Sequence, residues 1–175
     1  MSDKPQLSEQ ARRHRADWVA FVVYGTISVL AAIGGLRLEA DELKALQASV
    51  VLIVVALAAW LAHSMWRVVT ARARLDRLDL EIGRSRELHE LLRSWPVLAS
   101  GLPGAAAMVL AAADVWSVPT GLRVAQGLGV AILFAAGLLT ARLAGASRSR
   151  QIVYVFALPC VGLVIVGLEV VAHKV

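Results

Sequence analysis

Five stretches of this chain run for 18 to 22 residues without one Asp, Glu, Lys or Arg. They are Trp18 to Leu36, Ala45 to Trp66, Ser94 to Ala113, Val124 to Ala141 and Gln151 to Leu168. An α-helix rises about 1.5 Å per residue and the hydrocarbon core of a bilayer is about 30 Å thick, so about 20 apolar residues cross it. Each stretch has that length. A soluble bundle of such helices would have almost no polar residues with which to cover its surface. The sequence therefore predicts an all-α, polytopic membrane protein with five transmembrane helices.

Composition agrees. Hydrophobic residues make up 58% of the 175, charged residues only 18%, and mean hydropathy is +0.68. A disordered chain is poor in apolar residues, so disorder is excluded. The single cysteine, Cys160, excludes a disulfide-stapled secreted domain and reads as a small buried hydrophobe. The first apolar run is 19 residues long, beyond the roughly 7–15 of a signal-peptide core, and is expected to be a retained span.

Lys and Arg set the expected orientation. With the N-terminus inside, 14 of the 18 fall on the cytoplasmic side and four (Arg37, Lys44, Arg123, Lys174) outside. That asymmetry follows the positive-inside rule, predicts N-in/C-out, and argues against an antiparallel dual-topology dimer. The net charge of +5 is thus a record of topology rather than of an acidic partner.

The expected organisation is one membrane domain, 1–175. Residues 1–17 form a cytoplasmic arm that turns helical near Ser8. The spans cover about 18–36, 45–67, 95–116, 122–143 and 151–173. Gly34 and Gly35 should loosen the outer end of the first, and Pro103 and Pro159 should kink the third and fifth. Residues 68–93 read as a cytoplasmic amphipathic extension of helix 2, with opposite charges four apart at Arg72–Asp76, Arg77–Glu81 and Arg86–Glu90. This segment is either a linker on the membrane surface or a packing arm. Its arginines and acids nearly cancel, which leaves no field to hold nucleic acid.

Ionisable groups inside a span are costly and are the default functional candidates. His63 lies four residues from Arg67, about 6 Å inside the cytoplasmic edge. Tyr24, Tyr154 and Ser100 fall at similar depth, so the four predict one polar layer in the inner half. Asp114 and Glu169 sit near the outer edge, in a layer with Arg37, Arg123 and His173. The ion-pathway candidates are therefore His63, Asp114, Glu169, Tyr24 and Tyr154. Each has a plainer reading: a neutral His bonded to a tyrosine or a carbonyl, and acids bridging helix ends. Thr26 and Ser28 are expected to bond back to the preceding turn.

No HExxH, paired CxxC, G-x-S-x-G or P-loop occurs, and His63 and His173 lie on opposite sides, so no haem, metal or other cofactor is expected, and no enzyme. Tyr24-Gly25-Thr26, Trp60-Leu61-Ala62-His63 and Arg93-Ser94-Trp95-Pro96 together resemble a group of small integral membrane proteins of high-GC Gram-positive bacteria. That resemblance covers nearly the whole chain, implies a bacterial cytoplasmic membrane and a compact helical bundle, and carries no known activity. The spans hold too few polar groups for a wide pore within one monomer. The expected function is a homo-oligomeric channel or transporter for a small ion such as the proton. The alternative is a non-catalytic membrane subunit or scaffold that binds a partner through 68–93.

Overall fold

The computed structural model describes residues 4–40, 42–73, 94–143 and 148–172. Every regular element among them is an α-helix: α1 Lys4–Leu38, α2 Ala45–Ala73, α3 Trp95–Ala99, α4 Leu102–Ala112, α5 Val118–Leu143 and α6 Arg148–Ala172. Four apolar stretches are long enough to cross a membrane: His14–Leu38, Ala45–Thr70, Trp95–Ala112 and Val118–Leu143. The third is the pair α3 and α4. The last helix, α6, is 25 residues long and packs against α5 and α1.

α1 is the central element. It packs against α2, α3, α5 and α6, while α4 bridges α2 and α5. It runs 35 residues without interruption, so the arm and the first span are one helix, and Gly34 and Gly35 do not end it. α2 likewise passes Arg67 without a break and continues to Ala73. The remainder of the 68–93 extension, 74–93, lies outside the described residues.

The third span is broken at Ser100 and Gly101. Pro103 has no N–H, so the carbonyl of Ala99 loses its usual donor. The Ser100 hydroxyl donates to the Val97 carbonyl at 2.6 Å. The Gly101 N–H turns to Leu98 O at 3.2 Å, a tighter three-residue step. The Ser100 hydroxyl and the Gly101 N–H thus stay bonded within the chain, as polar groups inside a bilayer must. The break is held from both sides. A Cβ on Gly101 would lie 2.5 Å from Ala56 Cβ on α2, and Gly25 of α1 lies directly against Ser100.

The interior is apolar. Val29, Ile33, Leu52, Ala56, Met108, Leu122 and Ala125 form its main cluster, and Leu30 with Leu133 forms a second between α1 and α5. Lipid supplies no hydrophobic drive between helices, so close contact and interhelical hydrogen bonds hold them. Ser64 and Ser94 share a buried bond of 2.8 Å, and the Ser49 hydroxyl donates to Ala105 O at 3.3 Å. These two bonds fix α2 antiparallel to the third span and set their register.

Candidate functional site

His63 and Tyr24 meet where α1 crosses α2. Phe21 and Tyr24 are three apart on α1, and Trp60, His63 and Arg67 succeed one another at steps of three and four on α2. These steps keep each set on one helix face. The His63 ring sits 4.9 Å from Phe21 in an edge arrangement and 5.4 Å from Tyr24. The Arg67 guanidinium lies over Phe21 at 5.0 Å, a cation–π distance. His63 Nε2 and Trp60 Nε1 are both buried and have no hydrogen-bond partner. An unmet buried polar atom costs about 1–3 kcal/mol, so the crossing carries unspent bonding capacity.

This end of the bundle also carries Trp18, Trp66 and Trp95, all exposed. The Ser64–Ser94 bond sets Trp66 and Trp95 level, and the Phe21–His63 contact brings Trp18 to the same height. A ring of exposed tryptophans is the usual mark of a membrane interface.

Asp114 is elsewhere. Ser49 bonds to Ala105, His63 is fourteen residues from Ser49 on α2, and Asp114 is nine beyond Ala105. The helical rise then separates His63 and Asp114 by about 30 Å along the bundle. Asp114 is exposed and has φ 58°, the left-handed conformation of a residue that ends a helix. Its N–H donates to Ala111 O at 3.1 Å, and the Val115 N–H donates to Leu110 O at 3.1 Å. This pair of bonds is the Schellman pattern, which closes α4 at Ala112 rather than at the expected 116. Trp116 then folds back, and its Nε1 donates to Ala107 O at 3.0 Å. α5 starts at Val118 rather than at the expected 122: the Ser117 carbonyl accepts its first bond, from Gly121 N–H at 2.9 Å, and the Ser117 hydroxyl lies 3.0 Å from that of Thr120.

The position of Asp114 yields a test of its role. Glycine has no Cβ to strain at positive φ. Asp114→Gly is expected to raise stability by about 1 kcal/mol in thermal unfolding of the micelle-bound protein. A loss of stability would mean that the carboxylate does more than end a helix.

Arg37, at the same end as Asp114, bonds to the side-chain oxygen of Gln126 on α5. Arg123 stands one turn before Gln126 on α5 and is exposed. Arg37 of the expected outer layer thus bonds to a residue that charge counting passed over, three positions from Arg123. Its legible signal was that Gln126 is the lone amide in the Val124–Ala141 run. Phe21 was also missed, although it precedes Tyr24 by one turn.

Tyr154 and Glu169 lie on α6, and their side chains are outside the described set; so is His173. Ser100 is used locally in the helix break. Ser28 bonds back to Tyr24 O at 3.1 Å as expected, but the fully buried Thr26 does not, and its hydroxyl finds no partner. Among the described residues no three His, Cys, Asp or Glu side chains are grouped to hold a metal ion. Cys160 is exposed rather than buried, on the outside of α6. No protein-family model, curated protein or solved structure matches this chain.

Proposed function

We propose that this protein is a non-enzymatic, multi-pass subunit or scaffold of a bacterial cytoplasmic membrane, and that it presents 68–93 to a partner. One observation carries this reading. Val29, Leu30, Ile33, Leu52, Met108, Leu122 and Leu133 are each at most 4% exposed and lie between the His63 end and the Asp114 end. An apolar layer packed in this way offers no hydrated route for an ion through one monomer. The unbroken passage of α2 to Ala73 gives the presented segment a rigid base. In this reading α6 is the fifth span, on the strength of its 25 residues and the charge-free run from Gln151 to Leu168. The N-terminus is cytoplasmic and the C-terminus external, because 14 of the 18 Lys and Arg then lie inside.

A second reading rests on the unpartnered His63 Nε2 and Trp60 Nε1. It is a homo-oligomeric channel or transporter for a small ion such as the proton, its route running between subunits past His63 and Tyr24. Histidine suits proton transfer because its ordinary pKa is about 6.5.

Proton flux in proteoliposomes, read with an entrapped pH-sensitive dye under an imposed potential, separates the two. The scaffold reading expects wild-type flux equal to that of empty liposomes. Wild-type flux that collapses in His63→Ala would replace it with the channel reading.

A further inference from the structure

The Arg37 end of the bundle holds two guanidinium groups that no described acid pairs with. Arg37 closes the apolar stretch His14–Leu38. Arg123 stands five residues inside α5, about 8 Å below its first residue. Both are exposed. Among the described residues, the partner of Arg37 is the neutral amide of Gln126, and no described acid forms an ion pair with either arginine. Arg123 and Gln126 are three apart, so they are neighbours on the surface of α5.

The backbone brings α1 and α5 close just below this point. A Cβ on Gly129 would lie 2.7 Å from Leu30 Cδ2, so only glycine lets the helices approach with Leu30 between them. Leu30 and Arg37 are two turns apart on one face of α1. The close contact therefore sets where Arg37 emerges, and the Gln126 bond holds one arm of its guanidinium. Among the described residues nothing accepts from the other N–H groups or from those of Arg123. A guanidinium matches a phosphate through paired N–H bonds, and two of them at the edge of the hydrocarbon suit a group that sits at that depth.

We propose that Arg37 and Arg123 form a clamp for a phosphate group at the seam of α1 and α5, with Gln126 as the positioning residue for Arg37. The shared chemistry is the phosphate, carried by a phospholipid headgroup or free in solution. This proposal does not depend on the choice between scaffold and channel.

The test uses the full chain in detergent micelles doped with phosphatidylglycerol or with diacylglycerol, which lacks phosphate. Native mass spectrometry reads the lipid retained. The wild type is expected to retain phosphatidylglycerol at least about fivefold more than the double variant Arg37→Gln/Arg123→Gln, and to retain diacylglycerol no better than that variant does. Competition by added inorganic phosphate identifies the free anion as the ligand, and its absence identifies the headgroup; both outcomes support the clamp.

Arg142→Gln, at the opposite end of α5, controls for general charge. Equal retention by wild type and double variant overturns the proposal, as does an equal loss in Arg142→Gln. A melting temperature matching the wild type shows that the double variant is folded, and Gln126→Ala gives a second reading with both charges kept. Its expected result is partial loss of retention. Glu169 occupies a position on α6 two turns beyond Gly162, which packs on Leu133 and Leu30, and so lies near the same layer. Retention above wild type in Glu169→Gln would mean that this acid already closes the clamp, and would overturn the proposal.

Discussion

Gly25→Val is expected to be the most damaging single substitution in the bundle, at about 3 kcal/mol. A Cβ at this position would stand 2.5 Å from the Val97 carbonyl oxygen and closer still to the Ser100 hydroxyl. Neither obstacle is a mobile side-chain end. The carbonyl is backbone, and the hydroxyl is already committed to that carbonyl at 2.6 Å. The added atoms therefore push α1 away from the broken span, and the crossing with α2 at His63 lies one turn from the push. Gly127→Val is the control, because nothing lies within 4 Å of a Cβ built there. Equilibrium unfolding in mixed micelles should show a large loss for the first and little change for the second. Equal behaviour of the two would refute close packing at Gly25.

Leu30→Ala comes next, at about 2–3 kcal/mol. Leu30 is fully buried and is the common contact of two glycines, Gly129 on α5 and Gly162 on α6. In a bilayer the removed methyls gain no water on unfolding, so the cost is lost packing rather than transfer, and the lower part of the cavity range applies. The space left by Leu30 faces Gly129. A methyl at 129 that clashes with the intact leucine should fit against alanine, so Leu30→Ala/Gly129→Ala is expected to be more stable than the sum of its singles. Residues in contact commonly couple by about 0.5–3 kcal/mol. Strict additivity in the same unfolding assay would mean that α1 and α5 are not packed as described.

Both effects arise from contacts that hydropathy does not report, whereas the helices themselves were legible in the chain. The expectation of an all-helical chain with long apolar stretches holds, and four stretches match in position. Their ends differ where local hydrogen bonds decide. α4 stops at Ala112 because Asp114 adopts a left-handed turn, and α5 begins at Val118, where the Ser117 carbonyl accepts the first helical bond from Gly121 N–H. Pro103 was legible as a disturbance, but its outcome, an interruption at Ser100 and Gly101 with both residues still at right-handed helical angles, depends on where the hydroxyl and the amide turn. The candidate site was half legible. His63 and Tyr24 stand together and Asp114 lies at the opposite end, as their positions in the sequence implied, whereas the left-handed turn that Asp114 adopts there was not legible.

By itself the sequence determined the helical class, the long apolar stretches and where along each of them a polar residue falls. A window of about 20 residues suffices for these, because every backbone group in lipid must bond within its own helix and each residue adds a fixed rise. Only the tertiary structure decided which helices touch and at which faces. Such contacts depend on atoms far apart in the chain, and often on an atom that is missing. The absent Cβ atoms of Gly25, Gly101, Gly129 and Gly162 carry almost no hydropathy signal. They nevertheless set how closely α1, and at Gly101 α2, approaches its neighbours, and so which side chains meet at His63 and at Arg37.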